Sequence, residues 1–326
     1  MRKWFGILAG ILLLIGIAGC SNSTNAKKDK PEKIVLDYAY YSPTSIVLKK
    51  FGWAEEAFKK DGIKVEYVLS QGSNKALEFL NSKSVDFGST AGAAALMAKA
   101  KGAPIESVYI FSKPEWTALV TNKDSSIHSV SDLKGKKVAA TVGTDPYIFL
   151  LRALDEAGLS ASDVQIVNLQ HSDGANALTT KQVDAWAGLD PHMAKLELEA
   201  NAKLFYRNKN FNTYGTLNVR SDFAKKYPEY VKKVIEVYEK ARKWVLENPE
   251  KTAEILSKEA HISLDVAKKQ LERNDFSNPV PGEEQKQALK SAGTVLQKDG
   301  IINKDAKINS LVDELINPKF AKEVIK

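Results

Sequence analysis

The sequence predicts an α/β protein of two similar lobes followed by a helical tail. Three observations carry this. From Ile34 onward, short apolar strand-like runs alternate with amphipathic helical stretches, the pattern of largely parallel sheets with helices on their faces. The pattern Leu80-x-x-Lys83-x-Val85-Asp86 recurs as Leu178-x-x-Lys181-x-Val183-Asp184, each time where a helix gives way to a strand. Beyond about Val219 the alternation stops, and helices dominate between breaks at Pro228, Asn248-Pro249 and Pro279–Gly282.

In the first series Ile34–Tyr40 reads as a strand, and Ser42-Pro43 as the N-cap and first-turn proline of a helix reaching about Lys60. Asp61-Gly62 ends it. Strands follow at Ile63–Leu69 and Val85–Ser89, with helices at Lys75–Asn81 and Ala91–Ala100. Two more strands, Ile105–Phe111 and Thr117–Thr121, complete the first lobe, 34–121. The second lobe, 122–212, takes strands Lys137–Thr141, Val164–Leu169 and Asp184–Ala187. Its helices are Pro146–Ala157, stopped by Gly158, then Gly174–Lys181 and Pro191–Ala200. Residues 213–326 should cross back through Thr213–Arg220 and return helices to the first lobe.

The N-terminus carries an address. Arg2 and Lys3 precede an uncharged apolar run, Trp4–Ile17, and then Ile17-Ala18-Gly19-Cys20, which reads as a secretory signal over 1–20. Ending on the chain's one cysteine, it resembles a bacterial lipobox, whose thiol is diacylated. Residues 21–33 lack the apolar side chains needed to pack and should form a flexible tether. The chain has 47 basic and 40 acidic residues, and loss of Arg2 and Lys3 leaves a net charge of +5. The lysines are spread along the sequence, without a basic stripe or a nucleic-acid-binding motif, so nucleic acid is not an expected partner. With Cys20 acylated, no thiol remains for a disulfide, and the fold must rest on its apolar core.

In open α/β sheets, ligands bind beyond the carboxyl ends of strands, where loops feed helix N-termini and unpaired N–H groups favour an oxyanion. Six such loops are rich in hydroxyls and small residues: Tyr40–Ser42, Ser70–Ser73, Ser89–Gly92, Gly143–Asp145, Ser172–Gly174 and Gly188–Asp190. Ser42, Asp145 and Asp190 each precede a proline, so helix capping alone would also explain them. Trp116 and Tyr147 either wall a ligand or fill the core; Trp186, Trp53 and Trp244 read as packing. His128, His171, His192 and His261 lack metal-ligand spacing, and no GxSxG, GxGxxG or Walker A motif is present. No enzymatic activity, metal or cofactor is expected.

At these same loops the chain resembles the solute-binding lipoproteins of ABC importers, in the nitrate/sulfonate/taurine and thiamine-pyrimidine group. The matching segments are Leu77–Pro104, Ser129–Thr141 with its Asp132-Leu-Lys-Gly-Lys-Lys-Val138 run, and Val164–Pro191. The resemblance implies a two-lobed, periplasmic-binding-protein-like (type II) fold that closes by hinge bending on a small solute. It implies delivery to a membrane permease from the outer face of the membrane, by a monomer held through its lipid. Carried over by position, the solute contacts are Tyr41, Ser42, Gln71, Gly72, Ser89, Thr90, Trp116, Gly143, Thr144, Asp145 and Asp190. The second-lobe loop departs from the sulfonate pattern, because Gly143-Thr144 continues as Asp145-Pro146-Tyr147 rather than with hydroxyl pairs. A carboxylate facing a sulfonate weakens binding unless the solute carries an ammonium or Asp145 turns away. The departure weakens a plain alkanesulfonate and keeps taurine-like zwitterions and a cationic aminopyrimidine open. An enzyme of thiamine-pyrimidine synthesis and a sensor or adhesion lipoprotein on the same fold also stay open.

Overall fold

A computed structural model describes residues 30–325; the signal segment, Cys20 and most of the tether lie outside the described residues. The strands are β1 (Lys33–Tyr38), β2 (Lys64–Leu69), β3 (Phe87–Ala91), β4 (Ile105–Pro114), β5 (Thr117–Thr121), β6 (Lys137–Ala140), β7 (Gln165–Asn168), β8 (Ala185–Leu189), β9 (Lys203–Tyr206), β10 (Gly215–Arg220) and β11 (Asn274–Asp275). The helices of the lobes are α1 (Pro43–Phe51), α2 (Trp53–Lys59), α3 (Ser73–Asn81), α4 (Gly92–Ala100), α5 (Asp145–Glu156), α6 (His171–Thr179) and α7 (His192–Glu199). Those of the tail are α8 (Ser221–Lys226), α9 (Pro228–Glu247), α10 (Pro249–Ala260), α11 (Leu264–Glu272), α12 (Glu283–Lys298), α13 (Ile308–Leu315) and α14 (Lys319–Val324).

Two sheets form, in the orders β11-β4-β10-β3-β1-β2 and β7-β6-β8-β5-β9. The two-lobed α/β expectation holds, with four corrections. First, β5 pairs with β8 and β9 of the second sheet, so the chain leaves the first lobe at 115–116 and not after Thr121. Second, β10 is more than a crossover: it is a strand between β3 and β4, antiparallel to both. Each sheet is thus mixed, with most of its strands pointing one way and the strands that carry the chain between lobes, β5 and β10, running against their neighbours. Third, the first long helix is broken at Gly52, whose φ of +63° suits glycine and ends α1. Fourth, Lys33, assigned to the tether, already pairs with Lys64 in the β1–β2 ladder.

The repeated heptapeptide pattern has a physical basis. Lys83 and Lys181 take the same left-handed conformation, at φ 60° and 58°, where each helix turns into its strand. The following aspartate then does the same work in each lobe. Asp86 accepts the Val35 amide at 2.8 Å, and its own N–H reaches the Val35 carbonyl at 2.8 Å. Asp184 accepts the Lys137 amide at 2.8 Å and donates to the Lys137 carbonyl at 2.9 Å. Each carboxylate thus ties the entry of one strand to the first residues of its parallel neighbour. Leu80, Val85, Leu178 and Val183 fill the core beneath.

The tail does not return to the first lobe alone. Helix α9 packs on α1 and α14, but α12 lies against both α4 and α5, and α11 against α7. Helix α5 is buried from Asp145 through Leu154, a stretch apolar apart from Asp145 and Arg152. It belongs to one apolar cluster with Leu96 of α4 and Leu289 and Leu296 of α12, so the core is continuous across the lobes on this side. Among the described residues no helix is long and apolar enough to cross a membrane.

The two aspartates of the repeat differ in burial, which predicts unequal costs. Asp86 is 8 % exposed and also pairs with Arg220 at 3.0 Å, whereas Asp184 is exposed. In urea unfolding, Asp86→Ala should lose about 1–3 kcal/mol and Asp184→Ala less than about 1 kcal/mol. Equal losses would contradict this reading.

Candidate binding site

A cavity of about 150 Å³ lies between the lobes. Tyr40, Tyr41, Ser70 and Gln71 line it from the first lobe, and Gln170–Ser172 and Leu189–His192 from the second. Ala260 and Ile262, between α10 and α11, close a third side. These loops are the starts of α1, α3, α6 and α7, so four helix N-termini frame one space. No lysine or arginine lines it. Asp190 is the carboxylate on this wall, and its oxygens are taken by Arg273 and the Ala194 amide, which leaves backbone N–H groups, helix dipoles and the neutral side chains to meet an anion.

The lobes touch along the cavity. A Cβ built on Gly72 would stand 2.8 Å from both Asn74 Oδ1 and His171 Nε2, so only glycine lets His171 of the second lobe approach this loop. A Cβ on Gly143, where φ is +86°, would come to 3.5 Å from Asn74 Cβ and 3.7 Å from Met97 Cε of the first lobe. Asn74 Oδ1, Gln170 Oε1 and His171 Nε2 are buried without a hydrogen-bond partner. Gln170 and His171 line the cavity, where a polar solute would supply the missing partners.

Of the positions carried over by resemblance, Tyr41, Gln71 and Asp190 line the cavity. Tyr41 offers only its ring, since its hydroxyl donates to the Ser89 carbonyl at 2.8 Å. Gly72 stands at the lobe contact. Ser42 is buried, but its hydroxyl has no partner and does not cap α1; Ser45 Oγ takes the Ala39 amide instead, at 3.1 Å. Ser89 and Thr90 are buried in β3, apart from the residues that line the space. Thr90 Oγ1 is engaged by Asn218 Nδ2 at 2.7 Å and by Thr216 Oγ1 at 3.2 Å. Trp116, Thr144 and Asp145 meet around a separate void of about 10 Å³, too small for a solute. Thr144 Oγ1 donates to the Thr141 carbonyl at 2.6 Å.

Asp145 neither faces the cavity nor caps a helix; it is the first residue of α5 and completely engaged. Its carboxylate accepts Trp116 Nε1–H at 2.8 Å, the Thr213 amide at 2.9 Å and the Thr213 hydroxyl at 2.5 Å. Trp116 and Thr213 flank the two crossings between lobes. Thr213 Oγ1 also accepts the Ala93 amide at the start of α4, at 3.0 Å, so the chain of bonds runs from the first lobe through the hinge into the second. Burial pushes the carboxyl up to about 6, against the pull of these donors.

Asp190 is held as firmly. Arg273 Nη1 donates to its two oxygens at 3.1 and 3.2 Å, and the Ala194 amide donates to Oδ1 at 2.9 Å. Arg273, which follows α11, also pairs with Glu197 of α7. Its side chain is 5 % exposed and that of Asp190 0 %, so this is a dry bridge from the tail to the second lobe. Burial pushes the Asp190 carboxyl up to about 6 even beside Arg273. His171 is pushed the other way, down to about 3, by burial and by neighbouring His192. Sequence reasoning singled out neither Arg273, Thr213, Gln170 nor Asn74. His171 figured there only as a histidine without metal-ligand spacing, although its place at the start of a helix beside the Ser172–Gly174 loop was the usable signal.

Two predictions follow from these carboxylates. Arg273→Ala leaves Asp190 buried and unpaired and should lower stability in urea by about 3 kcal/mol, with Asp190→Asn added to it recovering part of the loss. An unchanged midpoint would remove the bridge from the account. For Asp145, folded near 6 against 3.8 as its ordinary value, the native state keeps a proton through pH 4–6 that the unfolded chain has released. Its contribution is therefore lost as pH rises through about 6. Asp145→Asn should flatten that decline in melting temperature between pH 4 and 7.

Comparison with known proteins agrees with this geometry. The NMT1/THI5-like family matches residues 52–252. A putative aliphatic sulfonates-binding protein of Bacillus subtilis is 26 % identical over 99 % of this chain and 98 % of its own length. The taurine-binding periplasmic protein of Escherichia coli is 30 % identical over 68 % of this chain and 71 % of its own. Among solved structures, the alkanesulfonate-binding protein SsuA of Xanthomonas axonopodis pv. citri, bound to MOPS, superposes with a TM-score of 0.81 at 22 % identity, covering 89 % of this chain and 99 % of that one. The desulfurization enzyme DSZB shares the fold at a TM-score of 0.66 and 12 % identity. With the family matched over more than half its length, the chain belongs to the NMT1/THI5-like family of two-lobed α/β proteins.

Proposed function

We propose that this protein is a lipid-anchored, extracytoplasmic solute receptor of an ABC importer that binds a small sulfonate-bearing solute between its lobes. The observation that carries this is the interlobe cavity framed by four helix N-termini with no cationic side chain on its walls. Such a site stabilises a compact oxyanion through many oriented N–H groups and separates it from larger ligands by size. Two bonding patterns answer the objection of a carboxylate facing the sulfonate: Asp145 is spent on Trp116 and Thr213, and Asp190, on the cavity wall, is paired with Arg273. The same geometry argues against an aminopyrimidine: Trp116 and Tyr147 do not line the cavity, which leaves Tyr40 and Tyr41 as its aromatic walls. The relatives named for sulfonate and taurine binding support the oxyanion, and they are binding proteins rather than enzymes.

Closure follows from how the lobes are joined. The α4–α5–α12 side is apolar and continuous, and the Asp145 bonds fix both crossings, so this side acts as the hinge. The α7–α11 side is held by the Arg273 ion pairs and by the solute, and this side opens. Cys20, once acylated, keeps the receptor near its permease.

A thermal-shift series of alkanesulfonates, taurine, nitrate and aminopyrimidines tests the reading. A sulfonate at ~100 times its Kd should stabilise the protein by about 2.7 kcal/mol, while aminopyrimidines leave it unmoved. Absence of any sulfonate shift would refute the proposal. Cys20→Ala should release the protein from membranes with solute affinity unchanged, and a loss of affinity would contradict the separation of anchor from site.

A further inference from the structure

One group in the cavity is left over by an oxyanion. His171 opens α6 and is 2 % exposed, and its Nδ1 lies 3.1 Å from Thr141 Oγ1. That hydroxyl has one proton, directed to the Leu169 carbonyl at 2.7 Å. Thr141 must then accept from the ring, which places the proton on Nδ1 and a bare lone pair on Nε2. Burial keeps the ring neutral at physiological pH. Nε2 is buried at the cavity wall beside Gly72 and has no partner. A lone pair here repels a sulfonate oxygen and calls for a donor, and no donor of the described residues is placed against it.

We infer that the solute presents a hydrogen-bond donor, an amine or hydroxyl hydrogen, to His171 Nε2, and that His171 thereby selects amino- or hydroxy-substituted sulfonates over plain alkyl ones. This rests on the oxyanion reading of the cavity and adds the second functional group. The four helix N-termini hold the acidic end, and His171 tests the other end. An alkyl group in the same place leaves the imidazole nitrogen buried and unpaired, a cost that the substituted solute avoids.

The test is calorimetric titration of the full-length protein, purified in detergent, with 2-aminoethanesulfonate, 2-hydroxyethanesulfonate and propane-1-sulfonate. At least one of the two substituted solutes should bind about tenfold or more tightly than propane-1-sulfonate. His171→Phe should bring the ratio to within about threefold. Equal affinities in the parent protein, or an unchanged ratio in His171→Phe, would overturn the inference, the second outcome meaning that another acceptor, such as Asn74 Oδ1, takes the solute's hydrogen instead. Failure of all three sulfonates to bind would count against the oxyanion site itself. If His171→Phe does not fold, nitrogen-15 NMR of the parent gives the answer directly. Nε2 should show an unprotonated, imine-type resonance that moves towards shielding when the preferred solute binds; a protonated Nε2 or an unmoved signal would overturn the inference.

Discussion

The buried carboxylate of Asp145 is the point on which the arrangement depends. A carboxylate withdrawn from water is costly unless its lone pairs are taken, and here three donors take them: an indole, an amide and a hydroxyl. All three come from the segments where the chain passes between lobes. Two crossing segments held by one acceptor cannot slide independently, so the lobes share a defined axis. The α5 helix that begins at Asp145 then continues as the apolar partner of α4 and α12. Polar fixation at the crossings and apolar packing beside them make one rigid edge.

Opposite requirements shape the edge that carries the cavity. A receptor must open to admit its solute, and an apolar seam resists being wetted at each opening. Here the α7–α11 contact is ionic, built from Arg273 with Asp190 and Glu197, and its groups can be solvated when separated. The cavity walls follow the same logic. In the closure proposed above, hydroxyls, amides and a neutral histidine bond water in the open form and solute in the closed one. The absence of lysine and arginine from the wall leaves recognition to shape and directed hydrogen bonds.

Much of this was legible in the sequence. Hydrophobic alternation located the principal strands of both lobes, and the Lys83/Asp86 and Lys181/Asp184 echo marked the same strand-entry bond in each. What escaped was what depends on pairing at long range. β5 reads identically as the last strand of one lobe or the first of the next, because its apolar run does not say which neighbour it joins. Asp145 and Asp190 looked like solute ligands or helix caps, since both sit before a proline at a strand-to-helix loop. Their partners, Thr213 and Arg273, are 68 and 83 residues away, and no local pattern links them. Gly72 and Gly143 stood among the expected solute contacts, yet what approaches them is the other lobe.

The most direct measurement is the structure of the protein with the sulfonate that most raises its melting temperature. The account predicts density between the starts of α3 and α6–α7, with the sulfonate oxygens on backbone N–H groups and no contact to Asp145. Density elsewhere, or a sulfonate whose oxygens are held by a lysine or arginine side chain, would contradict it.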